Sequence, residues 1–276
     1  MITRTLTMLT AVALLGACAS TEPLGPPAKE EIVAVTVSNQ LLRFNAGQPQ
    51  AVRDKKPLTG LRAGEQLLGI DFRVARGELF ALGASGQLYR IDVGSAVATP
   101  VGTGVALPAG GADWGVDFNP TVDRIRVVSD NGVNLRLHPD TGALAATDGQ
   151  LAYADGKAAA IVGAAYTYNK SNDKITTNYA LDGAAGTLVH QGSKEGVTPA
   201  VSPNTGQIFS VGSLGVGPFA HATFDISDVS NAAYAGLRAA GATSTRWHHV
   251  DLATGQARFI GTVGGGEALV GAAIEP

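Results

Sequence analysis

The stretch Trp114-Gly115-Val116-Asp117-Phe118 decides the fold, because it recurs. Related phrases are Leu68-Gly69-Ile70-Asp71-Phe72, Val162-Gly163-Ala164-Ala165-Tyr166, Ala222-Thr223-Phe224-Asp225-Ile226 and Val270-Gly271-Ala272-Ala273-Ile274. Their fourth residues stand at 71, 117, 165, 225 and 273, in steps of 46, 48, 60 and 48. A period in the forties, built from short apolar runs, is the spacing of four-stranded propeller blades. After each phrase comes a second strand, as in Glu78 to Leu82 and Arg124 to Val128. A third follows, as in Gly86 to Asp92 and Trp247 to Leu252, and a fourth in Thr99 to Gly102 and Ala257 to Gly261. Turns such as Pro139-Asp140-Thr141-Gly142 supply the residues that tight hairpins need.

The two ends of the pattern fit each other. The last phrase has no second, third or fourth strand after it, whereas Ile32 to Val37, Gln40 to Asn45 and Pro49 to Arg53 are three strands lacking a first. Together they make one blade and close a ring, which removes exposed sheet edges. The expectation is an all-β, five-bladed β-propeller closed by pairing of the C-terminal and N-terminal strands. The 60-residue step before Asp225 is read as an enlarged connection between the fourth and fifth blades, and leaves six blades open.

Composition agrees with this class and excludes others. The chain has 276 residues with 36 glycines, well above the usual ~7% and spread throughout, which favours strands and tight turns. Twenty basic against 23 acidic side chains give a net charge of −3, so no nucleic-acid partner is expected. One cysteine excludes a disulfide framework and a multi-cysteine metal site. That cysteine follows Arg4, the apolar run Leu6 to Leu15 and Leu15-Gly16-Ala17, a run too short to span a bilayer. The stretch resembles a bacterial lipoprotein signal with its lipobox, which implies removal of residues 1–17 and lipid on Cys18. Ala19, rather than Asp, after Cys18 implies the outer membrane by the same resemblance. Residues 18–31, with the proline- and charge-rich Thr21 to Glu31, then read as a tether, and 32–276 as a single propeller domain.

Trp114 to Pro120 with Asp123 to Ser129, then Asn134-Leu135-Arg136, Phe224-Asp225-Ile226, Ala233-Tyr234-Ala235 and Gly264-Gly265-Gly266, resemble domain-of-unknown-function family 4394. The likeness runs over about residues 32–275. It implies an exported propeller-like domain and brings no established activity.

Three sets of residues are candidates for chemistry. Asp71, Asp117 and Asp225 belong to the innermost strands, so their carboxylates would line a central channel and could hold a cation or a general base. The alternative is that each accepts hydrogen bonds from neighbouring backbone and locks blade to blade; Ala165 and Ala273 leave the ring incomplete. Arg124, Arg126, Asn134 and Arg136 form the densest polar group. They could clamp a carboxylate, a phosphate or an acidic glycan, or pair with Asp113, Asp117, Asp123 or Asp130 as a structural network. The five histidines include His248 and His249, which alternation sends to opposite faces, and no metal-ligand spacing is present. No metal and no cofactor are expected, and Asp130 to Asn134 and Asn169 to Asp173 read as turns, not calcium loops. Trp247 reads as a blade-packing residue.

These features favour a non-catalytic, envelope-anchored lipoprotein, held at the membrane through Cys18 and offering loops to a protein or glycan partner. The alternative is a periplasmic metal-dependent hydrolase or lactonase-like enzyme at the channel mouth.

Overall fold

The computed structural model describes residues 22–276; residues 1–21, and with them the lipobox and Cys18, lie outside the described residues. The inner strands are buried on both faces: in Leu79-Phe80-Ala81-Leu82 both faces of the sheet are covered by neighbouring blades, so the run is continuously apolar. The first blade holds β1 (Glu31–Thr36), β2 (Gln40–Asn45) and β3 (Asp54–Pro57). The second is β4 (Leu67–Arg73), β5 (Glu78–Gly83), β6 (Leu88–Asp92) and β7 (Val97–Val101). The third is β8 (Trp114–Asn119), β9 (Arg124–Ser129), β10 (Asn134–Leu137) and β11 (Leu144–Thr147).

The short β12 (Ala152–Tyr153) precedes the fourth blade, formed by β13 (Ile161–Tyr166), β14 (Asn178–Asp182), β15 (Thr187–Gln191) and β16 (Gln207–Ser213). The fifth is β17 (His221–Ile226), β18 (Ala233–Arg238), β19 (Arg246–Val250) and β20 (Ala257–Thr262). Then β21 (Leu269–Ile274) returns to pair antiparallel with β1, Ile32 opposite Ile274 and Ala34 opposite Ala272. The molecule is a five-bladed β-propeller, with strand order β21-β1-β2-β3 in the closing blade.

Three expectations need correction. The third strand of the first blade is Asp54–Pro57, not Pro49 to Arg53, because Pro49 to Arg53 forms the turn that brings the chain back: the Ala51 N–H donates to the Gln48 carbonyl. The extra length before Asp225 is not in the connection between the fourth and fifth blades, which is only the short link from Ser213 to His221. It lies inside the fourth blade, in the loops after β13 and after β15; β12, which stands before Ala165, adds a fifth strand to that sheet in parallel with β16.

The stretch read as a free tether is not free from residue 22 onward. Residues 22–30 lie as a strap in the seam between the fifth and first blades. Asn45 holds the strap by accepting from the Ala28 N–H (2.7 Å) and donating to the Ala28 carbonyl (3.0 Å). Gln48 donates to the Gly25 carbonyl at 2.8 Å, Glu30 accepts from the hydroxyls of Ser230 and Tyr234, and Glu22 accepts from both N–H and hydroxyl of Thr262. In the same seam Trp247 stacks on Tyr234, meets Phe44 edge-on and donates its indole N–H to the Ala46 carbonyl at 3.1 Å.

The glycines of the repeated phrase let the five innermost strands crowd the axis. A Cβ on Gly115 would stand 2.7 Å from the Ala164 nitrogen, and one on Gly271 would stand 2.8 Å from the Ile70 nitrogen. The expected channel is therefore closed at this level: only about 10 Å3 remains, room for one water. Gly115→Ala should cost about 1–3 kcal/mol by overpacking against backbone that cannot move aside. Gly94→Ala, where the new atom meets only ordinary contact at 3.4 Å, should stay within ~0.5 kcal/mol of wild type. Urea melts of the two variants check this; equal midpoints would mean that the inner strands have room.

Candidate functional site: the axis and its carboxylate mouth

Asp71, Asp117 and Asp225 occupy equivalent places on β4, β8 and β17, and the structure brings one oxygen of each within 4.8 Å of the others. Asp71 and Asp117 are buried and Asp225 is half-buried, and their partners are backbone N–H groups. Asp71 accepts from Phe118 of the next blade at 2.7 Å, and Asp117 accepts from Tyr166 of the next blade at 3.1 Å. Asp225 accepts from Ile274 of the closing blade at 2.6 Å. Each carboxylate thus reaches the residue just after the equivalent position on the following blade.

Ala165 and Ala273 cannot make this reach, and the other aspartates cover for them. The Ile226 N–H, which follows Ala165 around the ring, goes to Asp225 beside it at 2.6 Å. The Phe72 N–H, which follows Ala273, lies beside the Asp71 carboxylate and helps hold its charge. Of the five inward N–H groups, one per blade, four donate to the three carboxylates. Among the described residues the second oxygen of Asp117 accepts no N–H.

This arrangement crowds three acids with no cationic side chain among them to balance the charge. Burial pushes Asp71 and Asp117 well above the ordinary carboxylate range, and repulsion from the other aspartates adds to it. Burial pushes Asp225 up to about 7 against the hydrogen bonds from Ile274 and Ile226. Burial and mutual repulsion therefore favour protons or a cation at this cluster. A divalent cation with ~2.4 Å oxygen contacts is the metal chemistry these three residues could supply, in competition with the N–H groups already bound to them.

The sign of the pH dependence follows. A carboxyl whose folded pKa is raised contributes stability below its unfolded value, 3.8, and that contribution is lost as pH rises through the folded value, about 7 for Asp225. Between those limits wild type should lose stability relative to Asp225→Asn, which carries no titrating group there. Melting temperatures of both proteins across this range check it, and parallel curves would overturn the assignment.

The polar group on the third blade is organised inward. Arg126 is 1% exposed and donates to the Tyr166 hydroxyl (3.1 Å), Asn134 (2.6 Å), Asp148 (2.7 Å) and Asn204 (2.8 Å). Arg136, directly across the strand pair, donates twice to Asp148, at 2.8 and 2.9 Å. Asn134 also donates to the Gly149 carbonyl and accepts from Gln191 of the fourth blade. Arg124 turns back to the carbonyls of Val122 and Asp123. A ligand clamp would need free guanidinium edges; here Arg126 and Arg136 converge on one acid and staple the third blade to the fourth. That acid is Asp148, none of the four aspartates the sequence suggested. Removing Arg126 leaves Asp148 buried and half-paired, so Arg126→Ala should cost about 3–5 kcal/mol, whereas Arg124→Ala should stay within ~0.5 kcal/mol. Chemical denaturation checks both.

Two residues that the sequence did not single out shape the mouth just beyond the carboxylates. Arg73, two residues past Asp71 and on the same strand face, is buried and held firmly cationic by Asp123 (2.8 Å) and Asp140 (2.6 Å). Its register with Asp71 was the available signal. Tyr168 follows β13; its backbone is clamped on both sides by Asn231 at 2.9 Å. Burial and the three axial aspartates push its phenol up, with no hydrogen bond among the contributors. Tyr168 borders a cleft of about 470 Å3, lined also by Val74, Phe118, Pro120, Asn169 and Asp173. Within it Asn169 folds onto its own loop, accepting from Ser171 and Asn172. At the opposite mouth Asp113 accepts from the Ala222 N–H and meets His221 at 3.4 Å, bordering a smaller hollow of about 120 Å3.

These features define a five-bladed propeller with a closed axis and a cleft at its carboxylate end. The chain belongs to the family described as a domain of unknown function (DUF4394), whose model matches residues 40–273. No curated protein matches the chain. Among solved structures it is similar to a protein of unknown function from Bacteroides thetaiotaomicron VPI-5482 at 14% identity and TM-score 0.49, covering 82% of this chain and 56% of that one. It is also similar to TolB from Acinetobacter baumannii at 11% identity and TM-score 0.46, covering 84% and 53%. Glutaminyl cyclase from Myxococcus xanthus gives 12% identity and TM-score 0.45, covering 83% and 100%. The chain spans little more than half the length of the first two.

Proposed function

We propose that this protein is a non-catalytic binding module of the bacterial cell envelope, anchored in the outer membrane by lipid on Cys18, that takes a protein or glycan partner in the cleft beside Tyr168. The observation that carries the reading is the contrast between the axis and the cleft. At the axis, each carboxylate already accepts a backbone N–H, Asp225 two of them, and nearby Arg73 is tied to two aspartates. The cleft offers an aromatic face with an unengaged hydroxyl, apolar walls and the short polar chains Asn169 and Asp173. Aromatic faces with a few convergent polar groups suit a binding pocket for a sugar ring or a peptide.

The test is retention of the mature protein on peptidoglycan fragments and on immobilised envelope extract. Wild type should be retained, and Tyr168→Ala with Asn169→Ala should lose most of it with an unchanged melting point. Retention that ignores both substitutions sinks the cleft as the binding place.

One observation favours a metal-dependent hydrolase as a second reading: the convergence of three carboxylates within 4.8 Å. Melting with calcium and with EDTA separates the two. A cation at 100 times its dissociation constant adds ~2.7 kcal/mol, a shift the hydrolase reading requires and the binding-module reading does not.

A further inference from the structure

We propose that the outer edge of the fifth blade, beside the strap, rests against the anionic phospholipid headgroups of the membrane, so that the propeller lies on its rim. The inference rests on the reading of lipid at Cys18. Its second support is the strap, because Glu22 is fixed on the edge strand β20 through both the N–H and the hydroxyl of Thr262. Only four residue steps separate Cys18 from Glu22, and at ~3.6 Å per residue they reach ~14 Å when fully extended. An anchor that short cannot hold the ring far from the bilayer or let it turn over. Whatever surrounds Glu22 faces the headgroups.

What surrounds Glu22 fits that surface. Arg246 lies opposite Thr262 in the strand pair and close enough to Glu22 to help hold its carboxyl down. Its guanidinium sits 4.0 Å from the centre of the Phe259 ring, and Arg246, Arg258 and Phe259 are all exposed. A guanidinium over an exposed aromatic ring, with Arg258 next along the same edge strand on its other face, matches a layer of phosphates over the first methylenes: arginine takes phosphate oxygens in its planar fork, and an apolar ring settles at the boundary. With the rim against the bilayer, the axis runs along the membrane plane and the Tyr168 cleft opens sideways rather than into lipid.

The experiment uses the full chain, processed in a Gram-negative host and reconstituted in vesicles of phosphatidylethanolamine and phosphatidylglycerol. Incorporation of labelled palmitate, abolished by Cys18→Ala, tests the anchor itself. Phe259→Cys and Leu144→Cys then carry a nitroxide, the second on β11 of the third blade, across the ring. Nickel chelated to lipid headgroups should relax the label at 259 several-fold more than the label at 144. If Phe259→Cys fails to fold, a label at the exposed Arg258→Cys reads the same edge. Palmitate on Cys18 with equal relaxation at both sites overturns the rim contact and leaves the anchor standing. Absence of palmitate overturns both.

Discussion

Five backbone N–H groups point at one axis, and nothing in a closed ring of small blades can turn them elsewhere. A buried N–H without a partner costs about 1–3 kcal/mol, so the ring needs acceptors at its centre. Three aspartates provide them, Asp225 taking a pair of N–H groups and Asp71 and Asp117 one each. Each reaches forward to the next blade, so the same contact that satisfies the backbone also fixes the order and spacing of the blades. The crowding that raises the carboxyls is the consequence of that geometry, because five strands can come this close only where glycine stands two residues before the aspartate position on four of them.

The same logic separates what holds the ring from what is free to meet a partner. Arg126 and Arg136 look in sequence like an anion clamp, yet both lie against Asp148, and Arg73 lies against Asp123 and Asp140. Buried guanidiniums in a sheet protein are rarely idle, since a charge away from water must be matched. Functional capacity is left where the backbone is already satisfied by the loops themselves. The loop after β13 is such a place: Asn231 holds the Tyr168 backbone and Asn169 holds its own turn, and Tyr168 borders the cleft.

The axial ring was legible because aspartate recurs at a fixed place in a repeated phrase, and a residue that recurs once per blade has to sit at equivalent points around the axis. Tyr168 was not legible for the opposite reason. It lies in a loop present in one blade only, and no repeat reveals its direction. Asp148 was missed because its closeness to Arg126 depends on a register shift between β10 and β11, where Arg136 pairs with Ala146 but Leu137 pairs with Leu144. The strap was misread because proline and charge in Thr21 to Glu31 signal the absence of helix and strand but say nothing about a groove elsewhere that can hold an extended chain.

The sequence by itself determined the blade repeat, the closing of the ring by its two ends and the inward place of the aspartates, since all three follow from periodicity along the chain; the structure fixed the count at five. Only the tertiary structure decided which acid answers which arginine, that the axis is shut, and where a cleft remains. Those depend on distances between blades tens of residues apart, which the spacing of residues along a strand does not encode.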